Sequence, residues 1–391
     1  MRTWIVLLTL WLVLFTQSSQ FLIVAPVLPR IAEQLHVDKE TLGLLITVYA
    51  IGTGIFALLA GPVSDHVGRR RILRVGTAVM AAVLLLHQVA SSFVSLLLLR
   101  TMAGASSGIL AGAAVAYVGD VIPYERRGRA MGVVMSAMAF GQILGIPLGA
   151  SLAEYAGYQA PFVSFGAIMV VAFGLTMTVL PKAPISDEEP LSLRGAIASY
   201  ANLLSRRDIQ AVAVAGVLMM LSVSSFIVYQ PTWMEEHLGA SPHAVSGVFL
   251  VGGIANAVVG PLAGRLSDRI GRKGLVVWGS LGLAGLMVIT PFTPNMTLIY
   301  VLFFVIMCTV ALRISPYNAL LTALVGPNQR GSLMSLSMAF SQAGFALGAA
   351  VAGWTYVTYG YLGNAVAAGL AALAVGVIFH AFVDEPEAEL A

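Results

Sequence analysis

Charge is what this chain has least of. Only 10% of its 391 residues are Asp, Glu, Lys or Arg, while 58% are hydrophobic. Soluble domains carry about 25% charged residues, and so thin a supply cannot clothe a water-facing surface of this size. A soluble fold is excluded; the composition is that of a membrane protein. One cysteine, Cys308, excludes an intramolecular disulfide and a thiolate metal cluster. His-Glu-x-x-His and paired acids within an apolar run are missing, so neither an enzyme nor a resident cofactor or metal is expected. Twenty-one basic against eighteen acidic residues leave only +3, which does not mark nucleic acid as a partner.

Long apolar runs are abundant. A helix needs about 20 apolar residues to cross the hydrocarbon core, because its backbone groups must be satisfied within the helix. Twelve segments qualify: 4–26, 41–61, 75–91, 93–118, 130–152 and 161–180, then 209–232, 244–264, 274–292, 297–324, 332–354 and 362–383. The first is read as a retained span, because its run continues through Gln17 to Pro29 without a small-x-small cleavage site. An even number of spans puts both termini on one side. Placing them in the cytoplasm assigns seventeen of the twenty-one basic residues to that side and only Arg30 and Lys39 to the other. Arg100 and Arg313 alone fall within spans.

The longest polar interruption is 181–208, which contains Asp187-Glu188-Glu189-Pro190. It separates a six-helix bundle over 1–180 from another over 209–391. Leu191 to Tyr200 reads either as a short amphipathic helix on the cytoplasmic surface or as plain linker.

The halves resemble each other. Gly61-Pro62-Val63-Ser64-Asp65-His66-Val67-Gly68-Arg69-Arg70 follows the second span and Gly264-Arg265-Leu266-Ser267-Asp268-Arg269-Ile270-Gly271-Arg272-Lys273 the eighth, 203 residues later. Arg127-Gly128 and Arg330-Gly331 keep that offset. Ala139-Phe140-Gly141-Gln142 matches Ala339-Phe340-Ser341-Gln342 at 200, which implies a few residues lost in the eleventh span. A duplicated six-helix unit with a site near the midplane is a transporter architecture.

On these residues the whole chain resembles the major facilitator superfamily, which carries Gly-x-x-x-Asp-x-x-Gly-[Arg/Lys]-[Arg/Lys] once per half. Arg100 with Gly104 and Gly108 is similar to that family's second motif. Gly132, Gly141, Gly145, Pro147 and Gly149 resemble the glycine-proline pattern of its twelve-helix drug and metabolite efflux branch, the drug:proton antiporters, although Ile146 here separates Gly145 from Pro147. The resemblance implies an all-α membrane protein, two pseudo-symmetric six-helix bundles with cytoplasmic termini, moving a small-molecule substrate by alternating access with protons as coupling ion. It also implies a cytoplasmic gate in which Asp65 meets the N-terminus of the eleventh helix, where the helix dipole is positive. Arg69 then needs an anion, for which Asp120 is the candidate; the position 203 further on is Ala323, so the gate is expected to be asymmetric. Gly61, Gly68, Gly264, Asp268, Gly271 and Arg272 complete the gating set. Gly141, Gly145 and Gly149 recur every four residues on one helical face beside Pro147, as a close helix contact with a kink needs.

Polar residues inside the membrane are costly and so point to a substrate site. In the superfamily the first, fourth, seventh and tenth helices line the cavity, which implicates Gln17, Gln20, Arg100, Tyr229, Gln230, Arg313, Tyr317 and Asn318. Arg100 serves either substrate or the tie to Gln17 and Gln20. Arg313 and Tyr317, four apart, share a face. No acid lies at a predicted midplane, so proton coupling follows from the resemblance alone, and two midmembrane arginines imply a positive cavity suited to a polar or anionic solute. The expected protein is a monomeric exporter of drugs or metabolites in a bacterial inner membrane; the rival is an uptake carrier or facilitator for a polar or anionic solute.

Overall fold

The computed structural model describes residues 3–181 and 193–383, and every regular element among them is helical. The chain divides into two compact units, Met1–Ala196 and Ile197–Ala391. Unit 1 contains α1 (Thr3–Leu22), α2 (Leu44–Val67), α3 (Arg69–Leu86), α4 (Phe93–Val121), α5 (Tyr124–Ala156) and α6 (Ala160–Thr178). Unit 2 contains α7 (Arg207–Ile227), α8 (Pro242–Ile270), α9 (Arg272–Ile289), α10 (Met296–Ala323), α11 (327–359) and α12 (361–382). Short helices follow α1 (Leu28–Leu35) and α7 (Gln230–Leu238), and another, Leu193–Leu204, precedes α7. The last takes the helical alternative for the central segment, of which 182–192 lie outside the described residues.

Hydropathy marks where a helix enters the hydrocarbon, whereas hydrogen bonding carries it further. Thus α3 begins at Arg69 and α5 at Tyr124, six residues before the apolar runs that predict them. The expected charged loop after the second span shrinks to one residue. Gly61 and Asp65 lie within α2, not beyond its end, and Gly68 alone joins α2 to α3 with φ 92° and ψ 124°. Gly271 joins α8 to α9 with φ 93° and ψ 144°. An L side chain is strongly disfavoured in that region, so these joints require glycine.

Among the described residues ten helical stretches can cross a bilayer by length and composition, and eleven when 129–145 and 147–156, bent by 44° beside Pro147, count as one. One of the ten, Gln329–Phe382, has 54 residues. At 1.5 Å per residue it would reach about 80 Å, far beyond one bilayer core. It reverses at Gly360, with φ 65° and ψ −167°. Tyr317 proves the reversal, touching Ser337 on α11 at 3.4 Å and Phe379 on α12 at 6.1 Å between rings.

The duplication is geometrical. Separations of 203 residues connect the joints Gly68 and Gly271, the turn glycines Gly157 and Gly360, and the caps Ser92 and Asn295, whose side chains accept from Ser95 N and Leu298 N. Helix packing follows this offset closely, with 203 residues between the glycines and 202 between the residues they meet. A Cβ on Gly141 would meet Phe15 O of α1 at 2.7 Å, and one on Gly344 would strike Val217 O of α7; Gly145 and Gly348 repeat the contact one turn later, against Ser19 and Leu221. The match at an offset of 200 is therefore accidental, and no residue is lost in α11: backbone contact at the glycines sets the register, while the Ala-Phe-x-Gln letters do not.

Candidate functional site

In unit 1 the polar residues expected on α1 and α4 come together. Gln17 donates through Nε2 to Ser107 Oγ at 2.7 Å, and Tyr49 of α2 donates to Gln17 O at 3.2 Å. Arg100 Nη2 donates to Gln20 O at 2.9 Å, and its guanidinium lies 4.2 Å above the Tyr49 ring and 5.7 Å from that of Phe162. Arg100 is 1% exposed, yet its Nε and Nη1 have no partner, nor do Gln17 Oε1 and both amide atoms of Gln20. The neighbouring His87 stacks on Phe162 and bonds Val83 O through Nδ1 at 2.9 Å, which leaves Nε2 unsatisfied. Sequence reasoning missed Tyr49 and Phe162, since an aromatic residue in an apolar run carries no signal of which helix it will face. Gly104-Ala105-Ser106-Ser107-Gly108 spells Gly-x-Ser-x-Gly, but in mid-helix, where Gly104 and Gly108 seat α4 on the α2 backbone; the strand-to-helix elbow of a hydrolase is absent there.

In unit 2 the expected residues separate into two groups. Arg313, 0% exposed, reaches Met219 O of α7 through Nη2 at 3.4 Å, while its Nε and Nη1 find nothing. Tyr317, one turn on, donates to Val212 O at 3.1 Å. Asn318 is exposed and lines, with Gly216, Met219, Tyr317 and Ser341, a cavity of about 150 Å³. Tyr229 and Gln230 lie elsewhere, ten or more residues or about 15 Å further along the α7 direction from Met219. There Tyr229 stacks on Tyr356 at 5.0 Å, and Tyr356 donates to Glu236 Oε2 at 2.8 Å. Trp233 stacks on Tyr361 at 4.7 Å, and the buried Gln230 amide has no partner. Of this aromatic group only Tyr229 was expected. Its members lie on α11, α12 and the short helix after α7, distant in sequence and without common spacing.

Neither buried arginine reaches a carboxylate among the described residues. Desolvating a guanidinium is expensive, and the cation–π contact offsets only part of the cost at Arg100. The internal repeat shows that the scaffold does not demand either charge. The position 203 after Arg100 is Phe303, packed against Gly252, which itself corresponds to Tyr49. Arg313 corresponds to Leu110: Leu110 packs over Gly76 and the Arg313 Cβ lies 3.7 Å from a Cβ at Gly279, again 203 apart. Each half places hydrocarbon where the other places a cation.

Among the residues expected at a gate, Arg69 Nη1 donates to Asp120 Oδ1 at 2.7 Å and to Ala116 O at 2.8 Å. Both residues belong to unit 1, where the pair fastens α3 to α4. The side chains of Asp65 and Asp268, and Gly61 beyond its backbone, lie outside the described residues. Arg272 opens α9 as Arg69 opens α3, and Gly264 O accepts from Ser267 Oγ at 2.7 Å. Gly145 presses on Ser19 of α1 and Gly149 on Ile23 just past its end, and Pro147 sits at the bend.

Comparison with known proteins follows this geometry. The family model described as Major Facilitator Superfamily matches residues 10–212 and again 212–391. The uncharacterized MFS-type transporter YceJ of Bacillus subtilis is 27% identical over 90% of each chain. The multidrug resistance protein MdtG of Proteus mirabilis is 25% identical, over 90% of this chain and 89% of its own. Among solved structures the fold matches a D-xylose-proton symporter, with a TM-score of 0.80 at 17% identity over 98% and 99% of the two chains. The nucleoside transporter NupG gives 0.79 at 14%, over 97% and 100%.

Proposed function

Because the chain belongs to the major facilitator superfamily, we propose that this multi-span membrane protein is a monomeric secondary carrier that exports small organic solutes from a bacterial cytoplasm in exchange for protons, by alternating access. In this reading both termini are cytoplasmic, and Asp65 and Asp268 mark the gate on that side. The observation that carries it is the glycine-seated contact of α1 with α5 and of α7 with α11, repeated in both units. Contacts without interlocking side chains let one helix of each pair tilt against the other at little cost, and Pro147 supplies a hinge. The relatives named for multidrug resistance support efflux as the direction.

A second reading, a carrier or facilitator for a polar or anionic solute, is favoured by the two arginines without carboxylate partners. One experiment separates the readings. In everted vesicles with an acidic lumen an exporter accumulates ethidium, whereas an uptake symporter accumulates solute in right-side-out vesicles with acid outside. Arg313→Leu and Arg100→Phe install the side chains of the sister half. For an anion site, Arg313→Leu abolishes transport of carboxyfluorescein while folding stability stays within about 1 kcal/mol of wild type, as hydrocarbon replaces a buried charge. Ethidium efflux surviving in the mutant, with carboxyfluorescein never carried, rules the anionic reading out.

A further inference from the structure

The first three turns of α5 and the start of α1 line a groove of about 1150 Å³ that the transport reading does not use. Trp4, Leu8 and Trp11 present one stripe of α1, since residues four and three apart share a helical face. Val133 lines the groove from α5, and Arg126 and Arg129, both exposed, lie on the same helix. The groove thus has hydrocarbon walls and a cationic rim. Trp4 to Trp11 is seven residues, about 10 Å of depth. The deep end is fixed: Trp11 donates through Nε1 to Ser136 Oγ at 3.2 Å, and its ring stacks on Phe15 at 5.0 Å and leans on Phe140 at 6.0 Å.

A dissolved inorganic anion has no use for ten ångströms of apolar wall, and a lipophilic cation is repelled by two guanidinium groups. The complementary ligand is an amphiphile with an anionic head and a hydrocarbon tail. We propose that this groove binds an anionic phospholipid of the surrounding leaflet, its phosphate held by Arg126 and Arg129 and one acyl chain laid along Trp4, Leu8 and Val133. Basic pockets between membrane helices bind such head groups, and each basic residue contributes a roughly fivefold preference, so two give about 25-fold at most.

The test uses the full chain with Trp11, Trp233, Trp278 and Trp354 changed to Phe, which leaves Trp4 as the only indole. It is reconstituted in phosphatidylcholine vesicles containing either dibrominated phosphatidylglycerol or dibrominated phosphatidylcholine. Quenching of Trp4 is expected at several-fold lower mole fraction of the anionic lipid. The preference disappears in Arg126→Gln/Arg129→Gln, and also in Val133→Trp (read by retention of phosphatidylglycerol through purification), which fills the groove and keeps both charges. A chain retaining only Trp278, 73% exposed, reports bulk lipid and shows no preference. Equal quenching of Trp4 by the two lipids overturns the proposal, as does a preference that survives loss of both arginines. So does displacement by millimolar glycerol phosphate in the buffer, which assigns the groove to a soluble organic phosphate.

Discussion

Replacing Gly141 or Gly348 by alanine adds one carbon where two helix backbones meet. On Gly141 that carbon lies 2.7 Å from Phe15 O and 2.9 Å from Ser18 Cβ; on Gly348 it lies 2.6 Å from Leu221 O and 2.9 Å from Ser224 Cβ. Ordinary contact begins at 3.4 Å, so the partner helix must retreat by 0.7 or 0.8 Å. A carbonyl oxygen of a continuous helix cannot rotate away, and the whole interface opens. Overpacking of this kind costs about 1–3 kcal/mol. Alanine regains up to about 1 kcal/mol of helix propensity, which leaves a net loss near 1–2 kcal/mol. Gly132 and Gly285 have nothing within 4 Å of the added carbon, so alanine there keeps only the gain. In detergent the thermal midpoints should order as Gly132→Ala and Gly285→Ala at or above wild type, with Gly141→Ala and Gly348→Ala lower by about 3–6 °C for a unit of this size. Transport should fall further than stability in the latter pair, because the same contact must slide. Equal midpoints for Gly141→Ala and Gly132→Ala would refute the reasoning, since only the α1 contact distinguishes them.

Gly68→Ala and Gly271→Ala should each cost about 1–3 kcal/mol from backbone strain alone, visible as lower folded yield, even though nothing crowds the Gly68 Cβ position. The Arg69–Asp120 pair is only about one-quarter exposed on each side chain, so a double-mutant cycle with Arg69→Gln and Asp120→Asn should return a coupling near 1 kcal/mol; zero coupling would make Arg69 a topology determinant only. Between α5 and α6, Tyr158 donates to Ala90 O at 2.6 Å, and burial raises its hydroxyl pKa above the ordinary 10.0. A raised folded pKa stabilises below the unfolded value and is lost as pH climbs through the folded one. Unit 1 should therefore weaken above about pH 10, and Tyr158→Phe should flatten that alkaline limb while lowering neutral stability by about 1 kcal/mol.

Membrane class, six-plus-six organisation and the repeat were legible because each leaves a one-dimensional trace: a 20-residue apolar run, a polar interruption, a constant spacing. Helix joints were less so. The arginines of 69–74 look like loop to a hydropathy window, yet Gly68 supplies the whole turn and the helix restarts under them. Clusters such as Tyr229, Trp233, Tyr356 and Tyr361 were illegible for a different reason: stacking partners from separate helices obey no period, and aromatic residues are common in any span. Likewise Gln17, Gln20 and Arg100 could be named from their polarity, whereas the ring that receives the Arg100 cation could not.

The repeat also supplies a control that a single unit cannot. Where both halves keep a turn at 203 residues' distance, as with the one-residue joints Gly68 and Gly271, folding accounts for it, because the backbone there demands glycine. Where they differ, one copy shows what packing alone accepts. Leu110 over Gly76 and Phe303 over Gly252 are the hydrocarbon solutions at the places of Arg313 and Arg100. A guanidinium held there with Nε and Nη1 unsatisfied gains nothing for stability over those solutions. In the proposed anionic reading those donors meet their acceptor in the solute-bound state. Arg313, whose one bond to Met219 O is long at 3.4 Å and which lacks the aromatic faces that shelter Arg100, is the stronger case of the two.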